Sequence, residues 1–398
     1  MWIYRDILTS FDVLTGLPAK LLQGMRQVGK TSLLEELTKN TACKASLDLL
    51  PIRELASSNP ELFFKNFTPP VFIDEVQYAP ELFPQMKYLI DEERKKRRNL
   101  KSNLTIIPMF YLTGSNYSEL DKNIKETLAG RIERYTLHTL SVHEIQITIP
   151  DYYIGDLFMK GGWPELWVDT NLSIPHYINE FIQSFIEKDI ARSYGIEKIS
   201  SFLKALRLMA ARAAQIMINS DIAKSCEVSA PTISDWLSLL EKNHVVTLLK
   251  PFESNLNKRL VKSPKIFIND CGLATRLQGW TNYLQLSESS QFGHLFENLV
   301  FTEILKTRDH YRKNWEIFFW RTKDGEEVDF LVQNESGKII ALDAKVKFEN
   351  INPHSLFKTL SAVKNIFIVT LTGQELQRSE SNFQVPIEKL CDLLLREL

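Results

Sequence analysis

The stretch GMRQVGKTSLL, residues 24–34, constrains the fold of this chain more than any other. It satisfies the pattern G-x-x-x-x-G-K-[ST] with Gly24, Gly29, Lys30 and Thr31, after a short apolar run and before a helix-forming segment. Glycines at these positions let successive backbone N–H groups curl around phosphate oxygens, and the N-terminus of the following helix adds its positive dipole end. The sequence therefore predicts a phosphate-binding loop between a strand and a helix of an α/β sheet.

Each chemical role of such a loop has a candidate residue in this sequence. Lys30 is predicted to reach the β- and γ-phosphates of a nucleotide, and the hydroxyl of Thr31 to coordinate Mg²⁺. The predicted phosphate-binding residues are Gly24, Gln27, Val28, Gly29, Lys30, Thr31 and Ser32.

A second motif, PPVFIDEVQYAP, supplies the carboxylates that a nucleotide-bound magnesium ion requires. Its apolar residues, 71–73, predict the end of a buried parallel strand, and Asp74 and Glu75 follow at the carboxyl edge, where open α/β sheets bind ligands. Asp74 is the candidate for the metal and Glu75 the candidate general base for the attacking water.

A third predicted strand, IIPMFYLTGSN, ends in polar residues at 113–116. Two interpretations remain open. Either Asn116 orients the attacking water, or these residues form an ordinary strand-to-loop turn, for which Gly, Ser and Asn are typical.

These motifs follow one another in an order that resembles the AAA+-like ATPases widespread in bacteria and archaea. The order continues through LAGRIERYTLHTLSVHEI and GGWPE, and KSPKIFINDCGLA and EEVDFLV…ALDAKV are similar to that family's C-terminal half. Members carry the nucleotide core at the N-terminus and a domain of uncharacterised function at the C-terminus. The resemblance covers nearly the whole chain and implies Mg²⁺-dependent ATP binding and hydrolysis.

The resemblance also implies residue roles. Asp74, Glu75 and Asn116 would serve as Walker B and sensor residues, and Arg131 as a phosphate-sensing or finger arginine, a role that depends on assembly into a ring or dimer. Met25 stands where the family often has proline.

Length and composition limit the other possibilities. A chain of 398 residues, 44% hydrophobic and 24% charged, predicts a soluble protein of two or three domains. We expect a cytoplasmic location and no membrane contact, because no apolar run approaches the roughly 18 to 20 residues of a membrane span and the N-terminus lacks signal-peptide features. The four cysteines have no metal-binding or disulfide spacing.

The net charge of −1 gives no global attraction to nucleic acid, so DNA binding would require a local basic patch. The densest basic run is RKKRR at 94–98, which follows DEE. We interpret it as a solvated helix face or loop, with a DNA contact as the alternative.

The middle of the chain is predicted to be helical. Apolar residues recur at helical spacing from about Tyr177, and INSDIAKSCEVSAPTISDWLSLLEKNHVVTLLKPF has the order of a winged helix, with Ser229 capping its second helix. The predicted wing is basic, and it either contacts the DNA backbone or belongs to a purely architectural winged helix. Its basic residues are Lys258, Arg259, Lys262 and Lys265.

The C-terminal part contains a D…(D/E)-x-K pattern. Asp343 and Lys345 share one face of a predicted strand, and Asp329 lies on the preceding strand of a hairpin. Two carboxylates can hold Mg²⁺ or Mn²⁺ while the lysine assists an attacking water, and Glu297 on the preceding helix is a further acidic ligand candidate. The arrangement looks like a PD-(D/E)xK nuclease. It is either a metal-dependent nuclease or a nuclease-like fold retained for binding or dimerisation.

The sequence thus predicts an α/β protein in four parts: an AAA+-like P-loop NTPase domain (1–150), a helical lid or linker (151–195), a winged helix (196–270) and a restriction-endonuclease-like domain (271–398). Two functions remain open. One is an ATPase whose nucleotide state controls a nucleic-acid-binding or nuclease-like module. The other is a nucleotide-dependent regulatory switch that binds a protein partner or a second copy, with the nuclease-like domain inactive.

Overall fold

The computed structural model describes residues 2–99, 108–114, 124, 126–192, 194–252, 263–322, 324–351, 354–360 and 363–398. The chain divides into two compact units. The N-terminal unit comprises Ile7–His138, and the C-terminal unit comprises Met1–Asp6 with Thr139–Leu398. The predicted borders near residues 150, 195 and 270 remain predictions.

The N-terminal unit is built on a parallel five-stranded sheet in the order β2-β3-β4-β1-β5. Its strands are β1 (Ala19–Gln23), β2 (Cys43–Ser46), β3 (Val71–Asp74), β4 (Phe110–Gly114) and β5 (Ile132–Thr136). Its helices are α1 (Lys30–Thr38), α2 (Leu50–Ser58), α3 (Pro60–Asn66) and α4 (Leu82–Asn99), with a 3₁₀ turn at Val76–Tyr78.

Strands β1, β3 and β4 are buried along their whole length, as parallel strands covered on both faces must be. Strand β4 lies between β1 and β3, and all three strands are parallel. Their carboxyl ends therefore meet at one edge of the sheet. The predicted mixed α/β fold with a parallel sheet is confirmed. The P-loop and the acidic motif of Asp74 and Glu75 lie together at this edge of the sheet.

The basic run at 94–98 lies in the last turns of α4. Lys95 pairs with Glu92 at 2.8 Å and Arg97 with Glu93 at 2.8 Å, one helical turn apart. These pairs agree with the solvated-face interpretation, since the preceding acids partly neutralise the run.

The C-terminal unit contains a six-stranded sheet in the order β13-β14-β12-β11-β10-β9 and a three-stranded antiparallel sheet in the order β6-β8-β7. Its strands are β6 (Gln215–Ile216), β7 (Val246–Leu249), β8 (Lys265–Ile268), β9 (Glu316–Arg321), β10 (Glu327–Gln333), β11 (Ile339–Lys345), β12 (Ile366–Thr370), β13 (Leu376–Gln377) and β14 (Asn382–Pro386).

The helices of this unit are α5 (Val142–Thr148), α6 (Asp156–Met159), α7 (Pro164–Val168), α8 (Ile174–Phe181), α9 (Ile199–Ala211), α10 (Asn219–Cys226), α11 (Ala230–Lys242), α12 (Cys271–Leu277), α13 (Tyr283–Ser287), α14 (Phe292–His310), α15 (His354–Thr359) and α16 (Leu390–Glu397). A π-helical stretch, Ile182–Arg192, follows α8.

The predicted second helix of the winged-helix segment is α11. The Ser229 hydroxyl accepts a hydrogen bond of 3.2 Å from the backbone N–H of Thr232, which confirms the predicted cap. Ile233 and Trp236 are buried, whereas Ser234 and Asp235 are exposed. Helix α11 therefore packs through its apolar face, as its spacing predicts.

The C-terminal acidic motif lies on an antiparallel pair of strands. Strands β10 and β11 pair with Phe330 opposite Leu342, so Asp329 and Asp343 come from neighbouring strands. Helix α14 packs against β11 and β8 and is buried on nearly all sides, so that polar residues such as Glu297, Asn298 and Glu303 are buried along with its apolar ones.

Within the described ranges, no helix combines the length and the apolar character needed to cross a membrane. All four cysteines are free thiols: Cys43 is exposed, and Cys226, Cys271 and Cys391 are buried.

Candidate functional site

The predicted phosphate-binding loop connects β1 to α1. Its backbone has positive φ at Gly24 (146°), Gln27 (62°) and Gly29 (92°). A Cβ on Gly24 would lie 2.1 Å from the carbonyl oxygen of Leu137, so only glycine fits there. This turn sharply joins the strand to the N-terminus of α1, which is the geometry that an anion cradle requires.

Lys30, the first residue of α1, is buried over the loop. Its Nζ donates hydrogen bonds to the carbonyl oxygens of Gly24 (3.0 Å) and Met25 (2.6 Å). Burial lowers the pKa of Lys30 to about 8, although the carboxylates of Glu75 and Asp74 act in the opposite direction. An ammonium group held over a loop in this way is placed to meet an anion. Its predicted contact with phosphates remains a prediction.

Thr31 and Asp74 meet where α1 faces the end of β3. The Thr31 hydroxyl donates a 2.8 Å hydrogen bond to Oδ1 of Asp74, and the Thr113 hydroxyl donates a 2.5 Å bond to the same oxygen. Asp74 is buried. A hydroxyl and a carboxylate side by side are oxygen ligands of the kind that Mg²⁺ takes in nucleotide sites, so these residues fit the metal that the motif implies.

Glu75, the candidate base, follows in a left-handed backbone conformation with φ of 56°. Its backbone N–H donates a 2.9 Å hydrogen bond to the Thr113 hydroxyl, and its carboxylate accepts one from the Gln77 side chain. A non-glycine residue held in this conformation costs about 1–3 kcal/mol, and such strain concentrates at functional sites. The 113–116 motif therefore contributes Thr113, a residue to which sequence reasoning gave no role. Ser115 and Asn116 lie outside the described residues.

Three more charged side chains surround this edge of the sheet. The pKa of Asp48 is raised by burial and by the charges of Glu75 and Asp74, against the opposing charges of Arg53 and Arg26. The Arg53 guanidinium lies 4.2 Å from the centre of the Tyr78 ring. Sequence reasoning gave these residues no role in the site, although Arg26 lies inside the P-loop pattern and Asp48 lies two residues after the end of β2.

Arg131 precedes β5, and its side chain pairs with Asp91 of α4. Its Nε and Nη2 donate hydrogen bonds of 3.0 Å each to the two carboxylate oxygens, and Nη1 donates one of 3.2 Å to the carbonyl of Ala129. The structure thus engages Arg131 with α4 within its own unit. Its role as a finger arginine remains a prediction.

The C-terminal acidic motif also assembles. The Asp329 carboxylate accepts a 2.9 Å hydrogen bond from the backbone N–H of Ala344, and Lys345 Nζ donates a 2.6 Å bond to Asp343. Asp329 and Asp343 are buried. Burial and the neighbouring charge of Asp329 raise the pKa of Asp343 well above its usual value, although Lys345 opposes this shift.

One prediction for this region is wrong. Lys265 is not an exposed residue of a basic wing: it begins β8 and is 3% exposed. Its Nζ lies 2.7 Å from Glu297 and 2.5 Å from Glu327. The sequence could not reveal this placement, because β8 meets α14 and β10 only through tertiary packing. The other predicted wing cations, Lys258, Arg259 and Lys262, lie outside the described residues.

Glu297, predicted as a further acidic ligand, lies on α14 beside Asp329. Burial and the Asp329 charge raise the pKa of Glu297 to about 8, while Lys265 acts to lower it. Glu327 was missed, although it precedes Asp329 by two residues and so shares its strand face. The structure therefore brings together every predicted residue of the C-terminal motif and adds one carboxylate and one ammonium.

Comparison with known proteins divides the chain into three matched segments. Residues 17–146 match a family model described as an AAA domain. Residues 153–284 and 292–390 match two models described as domains of unknown function, DUF8612 and DUF4143.

The relatives that match more than two thirds of the chain are distant. Uncharacterized proteins of Mycobacterium tuberculosis and Mycobacterium bovis are each 28% identical over 318 residues, which is 79% of this chain and 68% of theirs. An uncharacterized protein of Methanocaldococcus jannaschii is 22% identical over 70% of this chain and 66% of its own.

Among solved structures, a Walker-type ATPase of Pyrococcus abyssi is 18% identical with a TM-score of 0.44, over 69% of this chain and 94% of that one. The ORC2 protein of Aeropyrum pernix is 13% identical with a TM-score of 0.36, over 67% of this chain and 87% of that one. The AAA domain match, together with the P-loop geometry, supports nucleotide binding and hydrolysis by the N-terminal unit.

Proposed function

We propose that the N-terminal unit binds ATP with Mg²⁺ and hydrolyses it. The observation that carries the proposal is the hydrogen bond from Thr31 to Asp74, which joins the P-loop helix to the acidic strand end. In this proposal the loop residues Gly24, Gln27, Val28, Gly29, Lys30, Thr31 and Ser32 bind the phosphates. Magnesium held by Thr31 and Asp74 would neutralise charge on the phosphate oxygens.

Glu75 is proposed as the base. It takes a proton from water as the water oxygen attacks the γ-phosphorus, and the bond to the β–γ bridging oxygen breaks to give ADP and phosphate. Gln77 and Thr113 hold the side chain and backbone of Glu75 in place. Asn116 is proposed to orient the same water.

The test is ATP turnover and binding by matched variants. Glu75→Gln should lower turnover by roughly 10²- to 10⁴-fold while keeping ATP binding, because only proton transfer is removed. Lys30→Ala should weaken both ATP binding and turnover. Glu81→Gln and Lys39→Ala, at exposed positions of the same unit, are the controls and should behave like the unsubstituted protein. Unchanged binding and turnover in Lys30→Ala would refute the proposal.

Arg131 is proposed to reach the nucleotide of a second copy in a homo-oligomer. Two observations support this proposal: Arg131 lies beside the edge strand β5, and its side chain is 22% exposed. Turnover per chain should then rise with protein concentration, and Arg131→Ala should remove the rise. Equal dependence on concentration in both proteins would exclude this role.

For the C-terminal unit we propose a restriction-endonuclease-like α/β module governed by the nucleotide state. One candidate activity is metal-dependent DNA cleavage, with Asp329, Asp343 and Glu297 holding Mg²⁺ or Mn²⁺ and Lys345 assisting the water. DNA would then bind through this unit and the basic segment at 258–262.

A second candidate is favoured by a specific observation. Lys265 is ion-paired with Glu297, one of the three carboxylates that would hold the metal of the nuclease. An ammonium group on a proposed metal ligand favours an inactive nuclease-like module, and it therefore supports the regulatory switch that binds a protein partner.

One experiment separates the two candidates. ATP hydrolysis and strand breaks are measured with single- and double-stranded DNA, using the full chain and its Asp343→Ala variant. Breaks that vanish in Asp343→Ala, with DNA-stimulated hydrolysis, would establish the nuclease. Hydrolysis indifferent to DNA, with no breaks and with a difference in protease sensitivity between ADP and ATP, would establish the switch.

A further inference from the structure

Three carboxylates converge in the C-terminal unit, from Glu297 on α14 and from Glu327 and Asp329 on β10. One oxygen of each lies within 4.8 Å of the others. Oxygens spaced in this way are close enough to coordinate one divalent cation, since each would lie roughly 2.0–2.6 Å from the ion. We call these three residues the acidic cluster.

The ammonium group of Lys265 lies within this cluster. Its Nζ is 2.7 Å from Glu297 Oε1, 2.5 Å from Glu327 Oε1 and 3.8 Å from Asp329 Oδ1. The Lys265 side chain is 4% exposed. A tethered cation therefore contacts all three side chains of the cluster.

Packing fixes Lys265 in this position. Phe267, two residues further along β8, shares its strand face, and its ring stacks on Phe301 with 4.1 Å between the ring centres. Phe301 lies one helical turn after Glu297 on α14, so the Phe267–Phe301 contact aligns Lys265 with Glu297. The Lys265–Glu297 ion pair is therefore held in place by aromatic packing between β8 and α14.

A metal ion and Lys265 cannot share these oxygens. An ion bound to Glu297 Oε1 and Glu327 Oε1 would lie at or near the position of Nζ, and at this burial two positive charges repel with little screening by solvent.

We infer that Lys265 is a built-in cation that occupies the acidic cluster in place of a divalent metal ion, so that Mg²⁺ or Mn²⁺ binds there only when Lys265 is removed. The inference concerns the C-terminal unit alone and does not depend on ATP hydrolysis. The acidic cluster shares Glu297 and Asp329 with the metal ligands of the nuclease proposal, and it differs from them by including Glu327 and by holding Lys265.

The experiment is Mn²⁺ titration of the nucleotide-free full chain, followed by the electron paramagnetic resonance signal of free Mn²⁺. Every protein carries Asp74→Asn, which removes the N-terminal carboxylate from the measurement. Lys265→Met removes the charge and keeps the length of the side chain. Lys250→Met, at an exposed position near β7, is the matched control.

We expect Lys265→Met to bind Mn²⁺ at least roughly tenfold more tightly than the parent, because a buried repulsive charge is gone. Adding Glu327→Gln should abolish the gain, and Lys250→Met should show none. Mn²⁺ should also raise the melting temperature of Lys265→Met, since the ion then compensates the buried carboxylates. Equal Mn²⁺ affinity in Lys265→Met and the parent would overturn the inference.

A second comparison applies if Lys265→Met does not fold. Glu327→Gln alone should leave Mn²⁺ binding by the parent unchanged. A loss of tight Mn²⁺ binding in Glu327→Gln would show that the metal enters the cluster beside Lys265, and the inference would be wrong.

Discussion

The hydroxyl of Thr31 lies 2.8 Å from Oδ1 of Asp74, a residue 43 positions further along the chain, and donates a hydrogen bond to it. Thr31 belongs to the first turn of α1 and Asp74 to the last position of β3. The two proposed magnesium ligands are therefore already adjacent, held by strand order and by the second hydrogen bond from Thr113.

This adjacency predicts the effect of changing Thr31. Thr31→Val removes the hydroxyl at nearly constant volume, so the affinity for Mg²⁺–ATP should fall by about 10- to 100-fold, the range seen when a metal site loses a ligand or its support. ATP affinity in the presence of EDTA should change little. Thr31→Ser keeps the hydroxyl and should bind Mg²⁺–ATP nearly as well as the unsubstituted protein. Equal losses with and without Mg²⁺ would assign Thr31 a purely structural role.

A comparison of two glycine substitutions tests the close approach between Gly24 of the loop and the backbone of Leu137. Gly24→Ala should abolish ATP binding or unfold the N-terminal unit, because its Cβ would lie 2.1 Å from a backbone oxygen. Gly130→Ala is the control: its φ is also positive, +70°, but nothing lies within 4 Å of the added Cβ. It should cost only about 1–2 kcal/mol, the strain of a left-handed residue. Melting temperature and ATP affinity are the measurements, and wild-type ATP affinity in Gly24→Ala would contradict the prediction.

Lys306 is predicted to be important for the stability of the C-terminal unit. Its buried Nζ donates 2.8 Å hydrogen bonds to Glu303 and to the carbonyl of Leu140, and Glu303 also accepts a 2.7 Å bond from the backbone of Val142. Lys306→Met leaves a buried carboxylate without its cation and should cost about 3–5 kcal/mol in urea unfolding. Exposed Lys313→Met should cost little.

A double variant tests the cause of that loss. Lys306→Met combined with Glu303→Gln should be more stable than Lys306→Met alone, because the neutral amide removes the buried charge. If the double variant is no more stable, the lost packing of the lysine chain, rather than the unpaired carboxylate, explains the effect.

His143 predicts a pH-dependent contribution to stability. Its Nδ1 is 2.8 Å from Asp6, and this hydrogen bond raises the pKa of His143 above its usual value of 6.5, although burial opposes the shift. The folded state therefore binds the proton more tightly than the unfolded state. The extra stability is fully present below pH 6.5 and is lost as the pH rises through the folded pKa.

The measurement is the free energy of unfolding of the parent and of His143→Gln at acidic and alkaline pH. The parent should be more stable than His143→Gln by roughly 0.5–1 kcal/mol near pH 6, a modest value because the side chain is partly solvated, and this difference in stability should shrink as the pH rises into the alkaline range. His176→Gln, at an exposed position, is the control. A difference independent of pH would exclude the Asp6 hydrogen bond as its source.

The sequence alone determined the features that depend on local spacing. Glycine and lysine positions defined the P-loop, and an apolar run followed by Asp74 and Glu75 defined the strand end, because these patterns follow from backbone geometry within a few residues. Strand alternation likewise placed Asp343 and Lys345 on one face, and it could have added Glu327 by the same argument.

Tertiary structure decided which side chains from distant segments meet. The pairing of Arg131 with Asp91, the two hydrogen bonds to Asp74 and the burial of Lys265 all depend on strand order and helix docking. A lysine that begins a strand can lie in solvent or within a carboxylate cluster. Nothing in its local sequence distinguishes the two, because the free energy that holds it comes from Glu297, Glu327 and the Phe267–Phe301 packing, contacts made only when the whole unit folds.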